Sequence, residues 1–136
     1  MTGADFTSPK IMGILNVSAE SFFKKSIALS QEAITKKAIE LEHYGADIID
    51  IGAMSTAPYL ETVIPVDEEM RRMRLAIHAV QESCNLPISI DTPRAKVAKI
   101  AIEYGIEFIN DVTGLKYDNQ MAHTISEANI SSILCA

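Results

Sequence analysis

Carboxylate and amide side chains stand where successive apolar segments of this sequence end. The residues are Asn16, Asp50, Asp91, Asn110 and Asp111. Asn offers an acceptor and a donor side by side, and Asp offers two acceptors, so the set suits a flat heterocycle with alternating donors and acceptors. Any one of them could instead cap the backbone of its own loop, as Asp and Asn commonly do. The set as a whole favours a binding site.

The segments that carry these side chains predict an α/β fold. Two stretches, 45–51 and 105–112, repeat one pattern: a helix-ending glycine, an acidic residue, an apolar strand and a polar strand end. Strand-like and helical spacings alternate along the chain in the order β-α-β-α-β-α-β-α-β. Strict alternation with short connections predicts parallel pairing, and parallel strands deliver their ends to the edge where such folds gather active sites.

Local signals give the predicted boundaries of these elements. Ser30 is expected to cap the first helix, and the acids 67–69 to begin the second. Thr92 is expected to cap the third helix, whose inner face should include Tyr104. The predicted strands cover about residues 11–17, 48–51, 88–90, 108–109 and 130–135.

Composition limits the class of protein. The chain has 136 residues, 48% hydrophobic content and a net charge of −6, which is typical of one globular domain spanning 1–136. The scattered basic residues argue against a nucleic-acid surface. No apolar run approaches the ~20 residues that cross a membrane, and the first ten residues lack a secretory core. We therefore expect a cytoplasmic protein with two reduced cysteines.

The other ionisable residues show no catalytic pattern. Arg71, Arg72 and Arg74 lie among acids on the second predicted helix, which indicates a solvated face. The three histidines also fall on predicted helices and are interpreted as surface or boundary residues.

Three segments resemble dihydropteroate synthase and its pterin-binding relatives. They are IMGILNVSAESF at 11–22, GADIIDIGAMSTAP at 45–58 and ISIDTPRAKVAKIAIEYGIEFINDVTGL at 88–115. The resemblance implies a TIM-type (β/α)₈ barrel, which needs about 250 residues. We therefore expect the amino-terminal part of such a barrel, apparently truncated, with about five parallel strands and four helices.

The resemblance also implies a reaction. The complete protein would condense 6-hydroxymethyl-7,8-dihydropterin diphosphate with 4-aminobenzoate, giving dihydropteroate and diphosphate in folate-type biosynthesis. Mg²⁺ is the implied cofactor, since it prefers the hard oxygens of a leaving diphosphate. The implied roles are metal binding for Asn16, catalysis for Asp50 and Asp91, and substrate binding for Ser55, Thr56, Asp91, Asn110 and Asp111.

Two departures from the family pattern keep alternatives open. The loop after Asn16 reads 18-SAESF-22 where the family usually has Thr-Pro-Asp-Ser-Phe, and Ala57 replaces an arginine. A pterin-dependent methyltransferase and a non-catalytic pterin-binding relative are the alternatives. An unclosed sheet would expose two strand edges, so we also expect self-association or completion by the rest of the barrel.

Overall fold

The computed structural model describes residues 6–17, 27–54 and 64–135, along which five strands and four helices alternate. The strands are β1 (Met12–Asn16), β2 (Ile48–Gly52), β3 (Ile88–Asp91), β4 (Phe108–Asp111) and β5 (Ser131–Leu134). The helices are α1 (Ile27–His43), α2 (Val66–Ser83), α3 (Ala95–Glu103) and α4 (Met121–Ala128). The predicted order of elements is confirmed.

All five strands are parallel, and each pairs with the next one in the sequence, in the order β1-β2-β3-β4-β5. Neighbouring helices contact each other in the same order. The helices therefore cover one face of the sheet, and the carboxyl ends of the strands all lie at one edge. No helix within the described ranges is long and apolar enough to cross a membrane.

The core lies between this sheet face and the helices. One row of paired residues crosses the sheet and is almost completely buried: Leu15, Ile51, Ile90 and Ile109. The predicted stripe of α2 packs against it, with Met70, Met73, Ile77 and Val80 all buried. Nearly continuous apolar strands are what a covered parallel sheet requires.

The repeated pattern of the two stretches has a structural explanation. Gly45 and Gly105 adopt φ angles of +95° and +83°, the left-handed conformation that ends a helix and that glycine adopts without strain. The acidic residues that follow accept hydrogen bonds from neighbouring strands. The Ile11 N–H donates to Asp47 Oδ2 at 2.8 Å, and the Ile88 N–H donates to Glu107 Oε2 at 2.8 Å. Each acid thus fixes the start of the adjacent strand.

Two predicted helix caps are wrong. Helix α1 begins at Ile27, so Ser30 lies inside it and is buried. Helix α3 has Arg94 at its N-cap position and no side-chain cap bond. The Thr92 hydroxyl does accept the Arg94 N–H at 3.2 Å, but it also donates to a buried side chain of α2, which the sequence pattern did not reveal.

Two side chains differ in burial from their predicted positions. Tyr104, predicted on the inner face of α3, is 44% exposed and is the C-cap residue just past the end of that helix. Arg72 is 97% buried, with its Nε donating to Glu68 Oε1 at 2.8 Å, whereas Arg71 stays on the surface. The histidines of α2 and α4, His78 and His123, are exposed as predicted.

Candidate functional site

Three of the predicted site residues lie side by side in one row of the sheet. The strand register pairs Asn16 with Gly52, Gly52 with Asp91, and Asp91 with Asn110. Residues paired across a parallel sheet project from the same face. Asn16, Asp91 and Asn110 therefore share the face that points away from the helices, at the carboxyl ends of the strands.

Asp50 lies directly behind this row. It is two residues before Gly52, so it projects from the same face, and the Asn110 Nδ2–H donates to Asp50 Oδ2 at 3.1 Å. Both side chains are more than nine-tenths buried. The predicted convergence of Asp50 and Asn110 is therefore a direct contact, although 60 residues separate them in the sequence.

Four polar atoms of this face have no hydrogen-bond partner within the described part of the chain. They are Asp50 Oδ1, Ser89 Oγ, Asp91 Oδ1 and Asn110 Oδ1, and each is buried. An unsatisfied buried polar group costs about 1–3 kcal/mol. Gathering four of them on one face is costly for folding, and it is the arrangement expected where a polar ligand supplies the missing partners.

Gly52 leaves a gap in the middle of the row. A Cβ added there would lie 3.7 Å from Asp91 Oδ2, at ordinary contact distance and with normal backbone geometry. The backbone thus tolerates a side chain at this position, and its absence leaves a flat surface between Asn16 and Asp91. A planar ring could lie against that surface.

The electrostatics of the row centre on Asp91. Burial raises the pKa of its carboxyl from 3.8 to about 7, and the negative charges of Asp50, Glu69 and Asp111 add to the increase. Asp91 can therefore both hold and release a proton near neutral pH. Perturbed carboxyl groups of this kind are concentrated at functional sites.

Asp111 faces a different environment. It pairs one step beyond Asn110 and so projects from the other face of β4. Its carboxylate accepts hydrogen bonds from the Thr113 N–H at 2.9 Å and the Leu115 N–H at 3.1 Å. The structure thus uses this carboxylate to close its own loop, and a role in substrate binding stays a prediction.

The described residues bring together few side chains of the kind that hold a metal ion. They contain no group of three or more His, Cys, Asp or Glu side chains that could hold a metal ion. The Asn16 side chain is exposed at the end of β1, where one amide oxygen could complete the shell of an Mg²⁺ held mainly by phosphate and water. Ser55, Thr56 and Ala57 lie outside the described residues.

The sequence reasoning missed a buried network beside Asp91. The Thr92 hydroxyl donates to Glu69 Oε1 at 2.8 Å, and Arg94 Nη1 lies 3.6 Å from Glu69 Oε2. Glu69 is completely buried at the start of α2. Its spacing from Met73, Ala76 and Val80 is that of one helix face, a signal that could have placed it inside.

Comparison with known proteins identifies the family. The family described as "Pterin binding enzyme" matches residues 12–136. The chain belongs to this family. A dihydropteroate synthase from Clostridium beijerinckii is 40% identical over 124 residues, an alignment that covers 91% of this chain and 46% of that enzyme. The chain thus spans slightly less than half the length of this curated relative.

Solved structures of pterin binding enzymes show the same fold. A dihydropteroate synthase from Xanthomonas albilineans, solved with 4-aminobenzoic acid, matches with a TM-score of 0.82 and 31% identity, over 95% of this chain and 47% of that one. The Anaplasma phagocytophilum enzyme, solved with 6-hydroxymethylpterin-monophosphate, matches with a TM-score of 0.72 and 31% identity, over 90% and 44%. The predicted partial TIM-type barrel is confirmed.

Proposed function

We propose that this chain carries part of the pterin site of a dihydropteroate synthase. The complete site would condense 6-hydroxymethyl-7,8-dihydropterin diphosphate with 4-aminobenzoate, giving dihydropteroate and diphosphate. The observation that supports this most is the row of Asn16, Asp91 and Asn110 on one face. One oxygen of Asp91 and one of Asn110 have no hydrogen-bond partner among the described residues. The ligands in the two solved relatives are the two halves of this chemistry.

The row can bind a pterin through hydrogen bonds along one edge of its ring. A pterin carries ring and exocyclic N–H donors next to acceptors. An ionised Asp91 would accept from those donors, and Asn110 Oδ1, which has no partner among the described residues, would accept from another. The Asn110 amide is already oriented by Asp50, so this part of the site is fixed before the ligand arrives. Gly52 would leave room for the ring.

The chemical step is a substitution at the exocyclic carbon of the pterin. The bond from that carbon to the diphosphate oxygen breaks, and its electron pair leaves with the diphosphate. The lone pair of the aryl amine forms the new C–N bond, and the amine then loses one proton to solvent. Asp50 and Asp91 would stabilise the positive charge that develops on the pterin. When bound with the diphosphate, Mg²⁺ would neutralise charge on the leaving group, with Asn16 as its protein ligand.

The remaining predicted roles are carried by the sequence resemblance. Ser55 and Thr56 would contact the diphosphate, and Asp111 the substrate, while Ala57 removes a cation that the family pattern places nearby. A cytoplasmic location also stays a prediction.

Exposed apolar side chains support an assembly around the open sheet. Within the described residues β1 and β5 each have one neighbouring strand, and Ile14 on β1 is 66% exposed. An apolar side chain and an unpaired strand edge favour association. We propose that these edges are covered by the rest of a barrel or by a second copy of the chain.

Calorimetry separates this function from its alternatives. The pterin diphosphate is titrated into the protein with and without Mg²⁺, and a methyl-tetrahydropterin is titrated in parallel. The synthase assignment predicts binding of the diphosphate that strengthens with Mg²⁺. Binding of the methylated pterin alone would instead support a methyltransferase. Binding of both pterins without any metal effect would support a non-catalytic pterin-binding relative.

A further inference from the structure

Thr92, immediately after Asp91, is held by three hydrogen bonds through two of its atoms. Its backbone N–H donates to the Asn110 carbonyl at 3.1 Å, its hydroxyl donates to Glu69 Oε1 at 2.8 Å, and the same oxygen accepts the Arg94 N–H at 3.2 Å. Thr92 is completely buried. The end of β3 is therefore tied to α2 on one side and to β4 on the other.

Arg94 completes this network from the loop before α3. Its Nη1 lies 3.6 Å from Glu69 Oε2, and its Nη2 donates to the Ile64 carbonyl at 2.7 Å, where the chain enters α2. Glu69 thus meets one hydroxyl and one guanidinium. We call Glu69, Thr92 and Arg94 the β3 clasp.

The position of the β3 clasp argues for more than stability. Burying a charged pair is costly, and apolar side chains of similar size often serve a core as well or better. Here the polar groups are placed directly behind a carboxyl whose Oδ1 has no hydrogen-bond partner in the described part of the chain. When no hydrogen bond to a carboxyl oxygen fixes the side chain, its orientation must be fixed through the backbone that carries it.

We propose that the β3 clasp is a positioning device that fixes the Asp91 carboxyl for the pterin and sets its charge. The part of this inference that concerns the pterin rests on the proposed function. The part that concerns the charge of Asp91 does not depend on it. Three carboxyl groups act on Asp91: Asp50 from β2, Glu69 from α2 and Asp111 from β4. Glu69 is the one whose charge the clasp controls, because Arg94 and Thr92 oppose the increase of its pKa by burial.

Two variants separate the orienting role from the electrostatic one. Thr92→Val removes the hydroxyl at nearly constant volume, and Thr92→Ser restores it. Glu69→Gln keeps an acceptor for the hydroxyl but removes the negative charge. The matched control is Asp67→Asn, an exposed acid two residues earlier in the same first turn of α2.

The readouts are pterin diphosphate affinity by calorimetry and the titration of Asp91 by carboxyl ¹³C NMR, with urea unfolding to confirm a folded state. We expect Thr92→Val to weaken binding about tenfold, because both hydrogen bonds of the hydroxyl that hold the residue after Asp91 are lost. Thr92→Ser should bind within about twofold of the parent. Glu69→Gln should lower the pKa of Asp91, because a neighbouring negative charge is lost, and Asp67→Asn should leave it unchanged.

Equal pterin affinity of folded Thr92→Val and the parent would overturn the orienting role. An unchanged Asp91 titration in Glu69→Gln would overturn the electrostatic role. Should the parent protein bind no pterin, the proposed function fails, and the β3 clasp is then judged by the Asp91 titration, which needs no ligand.

Discussion

The two ends of the sheet use the same kinds of side chain in opposite ways. At the amino ends of the strands, Asp47 and Glu107 each accept a hydrogen bond from the backbone of the neighbouring strand. At the carboxyl ends, Asp50, Asp91 and Asn110 each keep a buried oxygen without a partner in the described part of the chain. The polar groups at the amino end stabilise the fold, and those at the carboxyl end are available to a ligand.

This difference shows where a polar residue contributes to stability and where it contributes to binding. A carboxylate that accepts a backbone N–H stabilises the chain that donates it. A buried oxygen without a partner destabilises the fold until a ligand arrives, a cost that proteins carry mainly at functional sites. Substitutions at the two ends should therefore have opposite consequences.

The largest effect is expected at the carboxyl end. Asp91→Ala should abolish pterin binding, weakening it by at least about 100-fold, because a charge-assisted hydrogen bond to the ligand is lost. The fold should persist, since Asp91 Oδ1 makes no hydrogen bond within residues 6–17, 27–54 and 64–135 that would be lost. Calorimetry gives the affinity and circular dichroism the fold. If the variant binds pterin as tightly as the parent, the role of Asp91 is wrong.

A smaller effect should appear in the pH dependence of stability. The raised pKa of Asp91, about 7 against 3.8, means that the folded state keeps a proton that the unfolded chain has released. The contribution of Asp91 to the free energy of unfolding is thus complete below about pH 4 and is lost as the pH rises through about 7. Asp91→Asn lacks this loss. The full shift corresponds to about 4 kcal/mol, and since Asp91 is partly exposed to solvent, we expect the variant to gain about 2 kcal/mol relative to the parent between pH 4 and pH 8. Urea unfolding at both pH values measures the difference, and parallel pH profiles would contradict it.

The smallest effect is expected at the amino end. Glu107→Ala leaves the N–H of buried Ile88 without its acceptor and should cost about 1–2 kcal/mol of unfolding free energy. Pterin affinity should not change, because Glu107 lies at the opposite end of the strands. Glu103→Ala, at an exposed position of α3, is the control and should change stability by less than about 0.5 kcal/mol. A large loss of pterin affinity in Glu107→Ala would erase the distinction between the two ends.

Most of the fold was predictable from local signals in the sequence. Gly45 and Gly105 mark helix ends because only a left-handed residue closes those helices without strain, and the apolar runs that follow them are the buried strands. The start of α1 was less predictable. Ser30 is a residue type that often caps helices, yet the helix begins three residues earlier, at Ile27. A helix boundary depends on packing as well as on composition.

The grouping of the strand-end residues was predictable from the sequence. The buried residues that hold them in place were not predicted. Strand ends gather at one edge of any parallel sheet, so Asn16, Asp91 and Asn110 could be grouped without coordinates. Composition alone does not distinguish buried Glu69 from Glu68, which is partly exposed and pairs with Arg71 and Arg72; only the helical phase of these adjacent acids does. Their environments shift the two pKa values in opposite directions. Burial raises the pKa of Glu69, while hydrogen bonds from Arg71 and Arg72 lower the pKa of Glu68 to about 2.

The most direct test of the shared site is NMR of the labelled chain during titration with the pterin diphosphate. The side-chain amide signals of Asn16 and Asn110 and the carboxyl signal of Asp91 should shift together, along one binding curve. The Glu107 carboxyl, at the other end of the strands, should not shift. Pterin-induced shifts confined to the amino ends or to the helices, with the three site signals unmoved, would contradict the account.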